Sequence, residues 1–309
     1  MATSRPLPVT GPPRFFVTAG TPGSHLPKGS KDPDYYIPVR PAVHDAATGK
    51  LLATIPLPRG VLSAWHVLAA APDNRTFLLC GWTGPDSPMR LFRVTLADDG
   101  RPDDPVLVPG LGIRPHELVV ALALSGDATR LAYSTFGSGG VRVSVADLAN
   151  GQRRDWSAAG GMRVSGLSWS PDGRRIALAM NRGGIGVLDL AQQGTDLMAA
   201  TRVVKPHGVL PPLGSVAHTP DGAALVYSSG HVIERIPVGG GEPQVLARPE
   251  LPPGASLDLR FSLDGTGRHL LYVHGWKSFR ADLSDGSTAS MPIEADGHSR
   301  KGGSPRAAW

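Results

Sequence analysis

Val164 to Met180 reads V-S-G-L-S-W-S-P-D-G-R-R-I-A-L-A-M, and it decides the architecture. Two short apolar runs flank the turn Ser170-Pro171-Asp172-Gly173. Proline presets φ, aspartate hydrogen-bonds nearby backbone and glycine accepts a positive φ, so the chain reverses tightly between two strands. The same unit recurs as Ala71-Pro72-Asp73-Asn74, Ser125-Gly126-Asp127-Ala128, Thr219-Pro220-Asp221-Gly222 and Ser262-Leu263-Asp264-Gly265. The five aspartates lie 54, 45, 49 and 43 residues apart. That period is the length of a four-stranded propeller blade.

A third strand, a polar turn and a fourth strand complete each repeat. In the quoted repeat these are Ile185 to Leu190, Gln192-Gln193-Gly194 and Ala200 to Val204. The ends supply the topology. Arg14 to Ala19 reads as a second strand with no first strand before it, followed by Tyr35 to His44 and Leu51 to Leu57. Ser304 to Trp309 reads as a first strand with nothing after it. Pairing the two makes a sixth blade and removes the exposed sheet edges. The expectation is an all-β, six-bladed β-propeller of four-stranded antiparallel blades, closed by the C-terminal strand joining the N-terminal blade. Residues 1–13 form a Pro-rich linker and 14–309 a single domain.

Composition agrees with this reading. The 39 glycines and 30 prolines among 309 residues suit short strands and turns. Lysine and arginine exceed aspartate and glutamate by 31 to 26, too weak a bias to argue for nucleic acid. The single cysteine, Cys80 in T-F-L-L-C-G, excludes an internal disulfide and reads as a buried strand thiol. No run reaches the roughly 18 apolar residues of a membrane helix, and the first thirteen residues lack the apolar core of a signal peptide.

On Trp169 to Ala177, W-S-P-D-G-R-R-I-A, the chain resembles the WD40-like, TolB-type propeller repeats known as PD40, whose hallmark is W-S-P-D-G-x-x-I-A. It is also similar to propeller ectodomains of high-GC bacteria, which open on a segment like Pro12 to Thr18 and close on A-A-W. The resemblance covers about residues 12–309 and implies the fold rather than an activity, because propellers host many unrelated functions. It implies that such a propeller often follows a transmembrane helix. This leaves the compartment open, cytoplasmic for the chain as written or extracytoplasmic if it is an excised ectodomain; a monomer is expected.

Catalytic signatures are sparse. Gly166-Leu167-Ser168-Trp169-Ser170 misses the last glycine of a nucleophile elbow. No H-E-x-x-H, Walker A or paired-cysteine spacing occurs. Neither Gly110-Leu111-Gly112 nor Gly137-Ser138-Gly139-Gly140 has the third glycine and helix that a dinucleotide needs. His66, His218 and His269 fall on or beside strands and read as packing residues, whereas His25, His116, His207, His231 and His298 fall in loops. Six-bladed lactonases and strictosidine-synthase-like enzymes hold a central metal with carboxylates and asparagines; Glu117, Glu250 and Glu294 are the corresponding candidates here, and read as solvated loop carboxylates. No cofactor or resident metal is expected.

Charge supplies the functional reading. Turns between first and second, and third and fourth, strands emerge on one side and carry Asp45, Asp73, Asp98, Asp99, Asp103, Asp104, Asp127, Asp172, Asp221, Asp264 and Asp285. Blade-to-blade connections emerge on the other and carry Arg59, Arg114 with His116, Arg163, Lys205 with His207, Arg248, and Arg300 with Lys301 and Arg306. Second-to-third loops add Lys28, Lys31, Arg90, Arg142, Arg182 and Lys277. Trp65, Trp82, Phe136, Trp276 and Phe279 lie among them, and Thr21 to Asp34 is the longest loop. A cationic ring at the channel mouth focuses field toward an anion. The expected function is a non-enzymatic binding or scaffold propeller presenting Arg59, Arg114, His116, Arg163, Lys205, His207, Arg248 and Arg300 to a protein, peptide or anionic envelope ligand. The alternative is a metal-dependent hydrolase or lyase at the channel mouth, using His116, His207 and His298.

Overall fold

The computed structural model describes residues 12–19, 40–59, 61, 63–82, 87–206, 213–249, 259–274, 277–284, 288–292 and 306–309. Among these there is no helix; they form six antiparallel sheets of four strands. The first blade begins with β1 (Phe15–Ala19), β2 (Ala42–Asp45) and β3 (Leu51–Thr54). The second holds β4 (Ser63–Ala70), β5 (Thr76–Trp82), β6 (Arg90–Thr95) and β7 (Val106–Val108). The third holds β8 (Leu118–Leu124), β9 (Arg130–Gly137), β10 (Gly140–Asp147) and β11 (Arg153–Ala158). The fourth holds β12 (Val164–Trp169), β13 (Arg175–Met180), β14 (Gly184–Asp189) and β15 (Thr201–Lys205). The fifth holds β16 (Leu213–His218), β17 (Ala224–Ser229), β18 (Val232–Pro237) and β19 (Gln244–Ala247). The sixth holds β20 (Arg260–Leu263), β21 (His269–His274), β22 (Lys277–Asp282) and β23 (Thr288–Pro292).

β24 (Arg306–Ala308) then pairs with β1, Val17 opposite Ala308 and Thr18 opposite Ala307, and completes the first sheet in the order β24-β1-β2-β3. The innermost strands touch in sequence around the axis, β4 to β8, β12, β16, β20, β24 and back to β4. The ring is therefore shut by its own two ends, as the unpaired strand signals at the termini required.

Alternation of side chains across each strand explains why six sheets need six gaps. In β5, Phe77 and Leu79 join the core shared with the first blade, while Leu78 and Cys80 join the core shared with the third. The Cys80 thiol is accordingly buried. One apolar cluster fills each gap, and the smallest closes the seam between sixth and first blades through Phe16, Ala46, Leu271 and Trp309.

The repeated turn works through its side chains. The Ser170 hydroxyl donates to Asp172 (2.6 Å) and accepts from the Arg175 amide (2.9 Å), and Gly173 sits at φ +65°. The hallmark Trp169 reaches across a gap: its indole N–H donates to the Ala123 carbonyl (2.9 Å), and Arg130 of the third blade lies over its ring at 4.6 Å. Arg130 also donates to the Gly173 carbonyl (3.0 Å), so the motif's tryptophan and glycine both serve inter-blade contact.

One alignment differs from the sequence-based expectation. In the sixth blade Asp264, not Ser262, occupies the place of Ser170: its amide bonds the His269 carbonyl (3.0 Å), and Gly267 takes the positive φ of +72°. The buried Asp264 carboxylate accepts amide bonds from Arg268 (2.9 Å) and His269 (3.0 Å). An aspartate that replaces the serine anchor shifts the apparent turn by two positions, and the letters Asp-Gly alone hide the shift.

Two outcomes test this packing. Trp309→Ala should lower unfolding free energy by about 3–5 kcal/mol in urea, because it empties the smallest inter-blade core, while Leu107→Ser on the exposed β7 should stay within about 0.5 kcal/mol. Gly166→Ala should cost about 1–3 kcal/mol, because its Cβ would lie 2.9 Å from the Val216 nitrogen on the facing inner strand.

Candidate functional site

Strand direction gives the central channel two unlike ends. At the end of the repeated turns lies a cavity of about 440 Å³, walled by all six innermost strands. Leu68, Leu122, Leu167, Val216, Phe261 and Ala307 represent the six, and Pro72, Pro171 and Pro220 rim the turns. Hydroxyls link neighbouring inner strands here. Ser168 accepts the His218 amide (2.9 Å), Ser215 the Phe261 amide (3.1 Å) and Ser262 the Trp309 amide (3.5 Å). Edge N–H groups that would otherwise face the channel are satisfied in this way.

His218 lies on the cavity wall, 9% exposed, and its Nδ1 is buried without a hydrogen-bond partner. Burial pulls its imidazole pKa down to about 4, against the pull of its hydrogen bond with Ser168 and the Asp172 charge. The side chain is thus a neutral wall element. Several aspartates of this side are engaged by their own turns: Asp73 accepts from the Arg75 and Thr76 amides (2.9 and 2.8 Å), and Asp45 from the Ala47 and Thr48 amides (3.0 and 2.8 Å). Hydrogen bonds with Thr48 hold the Asp45 carboxyl below its usual value. Asp285 lies outside the described residues.

At the connection end, cations face solvent. Arg59, Arg114, His116, Arg163 and Arg248 are all exposed. Arg163 immediately precedes β12 and lays its guanidinium over Phe136 of the third blade at 4.5 Å. Arg114 and His116 share the connection into β8, where His116 takes a left-handed φ of +64°. Lys205 behaves differently: at the end of an outermost strand it bonds the Tyr227 hydroxyl (2.6 Å) and the Glu234 carboxylate (2.9 Å) of the fifth blade. Burial alone would raise the Glu234 carboxyl, but Lys205, Tyr227 and the field of Arg248 hold it below its ordinary value. Burial and the same carboxylate push the Tyr227 phenol up. The structure thus brings Arg114 and His116 together and carries Arg163 onto the neighbouring blade. Lys205 it commits to an ion pair.

Glu117, a carboxylate weighed for metal binding, is instead ion-paired with Arg142 and accepts the Arg114 amide (3.0 Å). Among the described residues no three His, Cys, Asp or Glu side chains converge as a metal centre would require. His25, His207, His298, Glu250, Glu294, Trp276, Arg300, Lys301 and the loop Thr21 to Asp34 lie outside the described residues. The turn-side cavity was not anticipated from sequence. Its signal was present in the prolines of the repeated turn, which read as local conformation and also rim a shared space.

No family model and no curated protein sequence matches the chain. Solved structures do. A TolB from Acinetobacter baumannii is similar over 96% of this chain, with a TM-score of 0.65 and 14% identity; the chain spans 66% of that TolB's length. A chain in the structure of a nidogen/laminin complex is similar over 95% of this chain and 97% of its own, with a TM-score of 0.61 and 12% identity. The likeness shows the fold, a six-bladed β-propeller. Among the described residues no helix is long and apolar enough to cross a membrane.

The buried histidine gives a pH signature. Its folded pKa lies below the unfolded value, so the unfolded chain takes up the proton first; the stability it contributes is full above pH 6.5 and is lost as pH falls toward 4. A loss on the order of 3 kcal/mol is expected across that window. In His218→Gln this component should vanish from the pH dependence of the unfolding midpoint.

Proposed function

We propose that the chain is a binding propeller whose connection-side face takes an anionic segment of a protein or peptide. The supporting observation is a mismatch of pairing. Toward that side Glu117 and Glu234 are already engaged by Arg142 and Lys205, while Arg59, Arg114, Arg163 and Arg248 remain exposed to solvent. Exposed positive charge on this face attracts and orients an anionic partner and speeds its encounter. The nidogen/laminin structure is of a protein complex, so binding another protein suits a similar fold, although that likeness assigns no partner here.

Of the cations expected at the mouth, Arg59, Arg114, Arg163 and Arg248 carry this reading. Lys205 supports it by neutralising Glu234 rather than by meeting a ligand. His207 and Arg300 belong to the proposed set by sequence position.

The test is fluorescence anisotropy with a labelled oligoglutamate peptide at low and high salt. The native chain should bind it with steep salt dependence. Replacing Arg59, Arg114 and Arg248 together with glutamate should weaken binding by at least about tenfold at low salt. Affinity that survives the triple reversal would count decisively against this face.

A further inference from the structure

We propose that Leu118, beside Phe136 at the connection-side mouth, is the apolar anchor of a docking spot for an acidic, leucine-bearing segment of a partner protein. This rests on the charge reading above and gives it a centre. Leu118 opens β8, an innermost strand, and at 60% exposed it is the most exposed large hydrophobic side chain among the described residues. It stands opposite Phe136 in the β8–β9 ladder, and the ring of Phe136 carries the Arg163 guanidinium at 4.5 Å. A leucine paired across the ladder with an aromatic residue, whose ring carries an arginine from the next blade, makes the composition of an interface hot spot.

The spot is held before anything binds. The Leu111 carbonyl accepts from the Tyr133 hydroxyl and from Arg153 (2.6 Å), and the Gly112 carbonyl from Arg142 (3.4 Å). Glu117 is tied to Arg142 from one side and caps the Arg114 amide from the other. Immediately after Leu118, the Val119 amide meets the Met89 sulfur (3.2 Å). Between these ties His116 is kept in the left-handed region, a conformation that a non-glycine residue holds only when its surroundings enforce it. A surface fixed in advance loses little conformational entropy on binding.

The surrounding charge specifies the partner. The connections into β8 and β12 and the second-to-third loops of the third and fourth blades carry Arg114, His116, Arg163 and Arg182, and one carboxylate, the engaged Glu117. An apolar side chain flanked by aspartates or glutamates complements both features. One leucine and a ring already covered by Arg163 offer too little insertable area for a bilayer, so the chemistry favours a protein segment.

The experiment compares two labelled peptides on the intact chain, Asp-Glu-Asp-Leu-Leu-Asp-Glu-Asp and the same peptide with both leucines replaced by glycine. The native chain should favour the leucine peptide by on the order of tenfold. Leu118→Ser, at an exposed position, should fold normally and abolish most of that preference, and Leu118→Met should restore it. Equal binding of the two peptides to the native chain, or a preference that survives Leu118→Ser, would overturn the anchor while leaving the charge reading intact. Failure of both peptides to bind removes both readings. Phosphatidylglycerol vesicles are the last arm: Leu118-dependent vesicle association stronger than peptide binding would replace the protein partner with a membrane.

Discussion

A blade with two apolar faces cannot be satisfied from one side. Strand alternation sends Phe77 and Leu79 one way and Leu78 and Cys80 the other, so every sheet needs a neighbour on each flank. A row of such sheets would leave two greasy outer faces, and only closure removes them. The rest of the molecule follows from that requirement: inner strands crowd around an axis, glycine stands where Gly166 meets the backbone of the facing strand, and serine hydroxyls satisfy inner-strand amides. The motif tryptophan belongs to the same logic, since its indole hydrogen-bonds the inner strand of the neighbouring blade.

Closure also gives the two ends of the axis different chemistry. Every inner strand runs the same way, so all the tight aspartate turns gather at one end and all the inter-blade connections at the other. Turns such as those of Asp73 and Asp172 hold their carboxylates in local hydrogen bonds, beside a cavity whose wall mixes leucine, valine, phenylalanine and tryptophan with serine, threonine and His218. The connections share no sequence motif, so their side chains differ from blade to blade. That difference is visible in the contrast between Arg163, stacked on a ring and open to solvent, and Lys205, locked to Glu234.

The architecture was legible because it is written in local, repeated signals: turn chemistry, strand alternation, and two ends each lacking a partner. Blade number and closing pair both emerge from these. Legibility failed where one residue replaced another in the same role. Asp264 takes the place of Ser170, and the turn of the sixth blade moves with it. The site was less legible still. Arg142, Glu117 and Lys205 look like solvated loop charges in sequence, yet Arg142 and Glu117 bind each other across 25 residues and Lys205 binds Glu234 of the next blade across 29. The turn-end cavity arises only when six inner strands meet, so no single stretch announces it.

The pairing of Val17 with Ala308 joins residues 291 positions apart in the sequence. During vectorial synthesis from the N-terminus, β1 to β3 emerge first and then wait, with the inner edge of β1 open, until β24 follows five complete blades. Until then that edge is a template for any passing strand, including one from a second nascent chain. The short last strand thus works as a latch on the order of assembly: it arrives after the sheets that must bracket it, and it finds its slot already shaped by Phe16, Ala46 and Leu271.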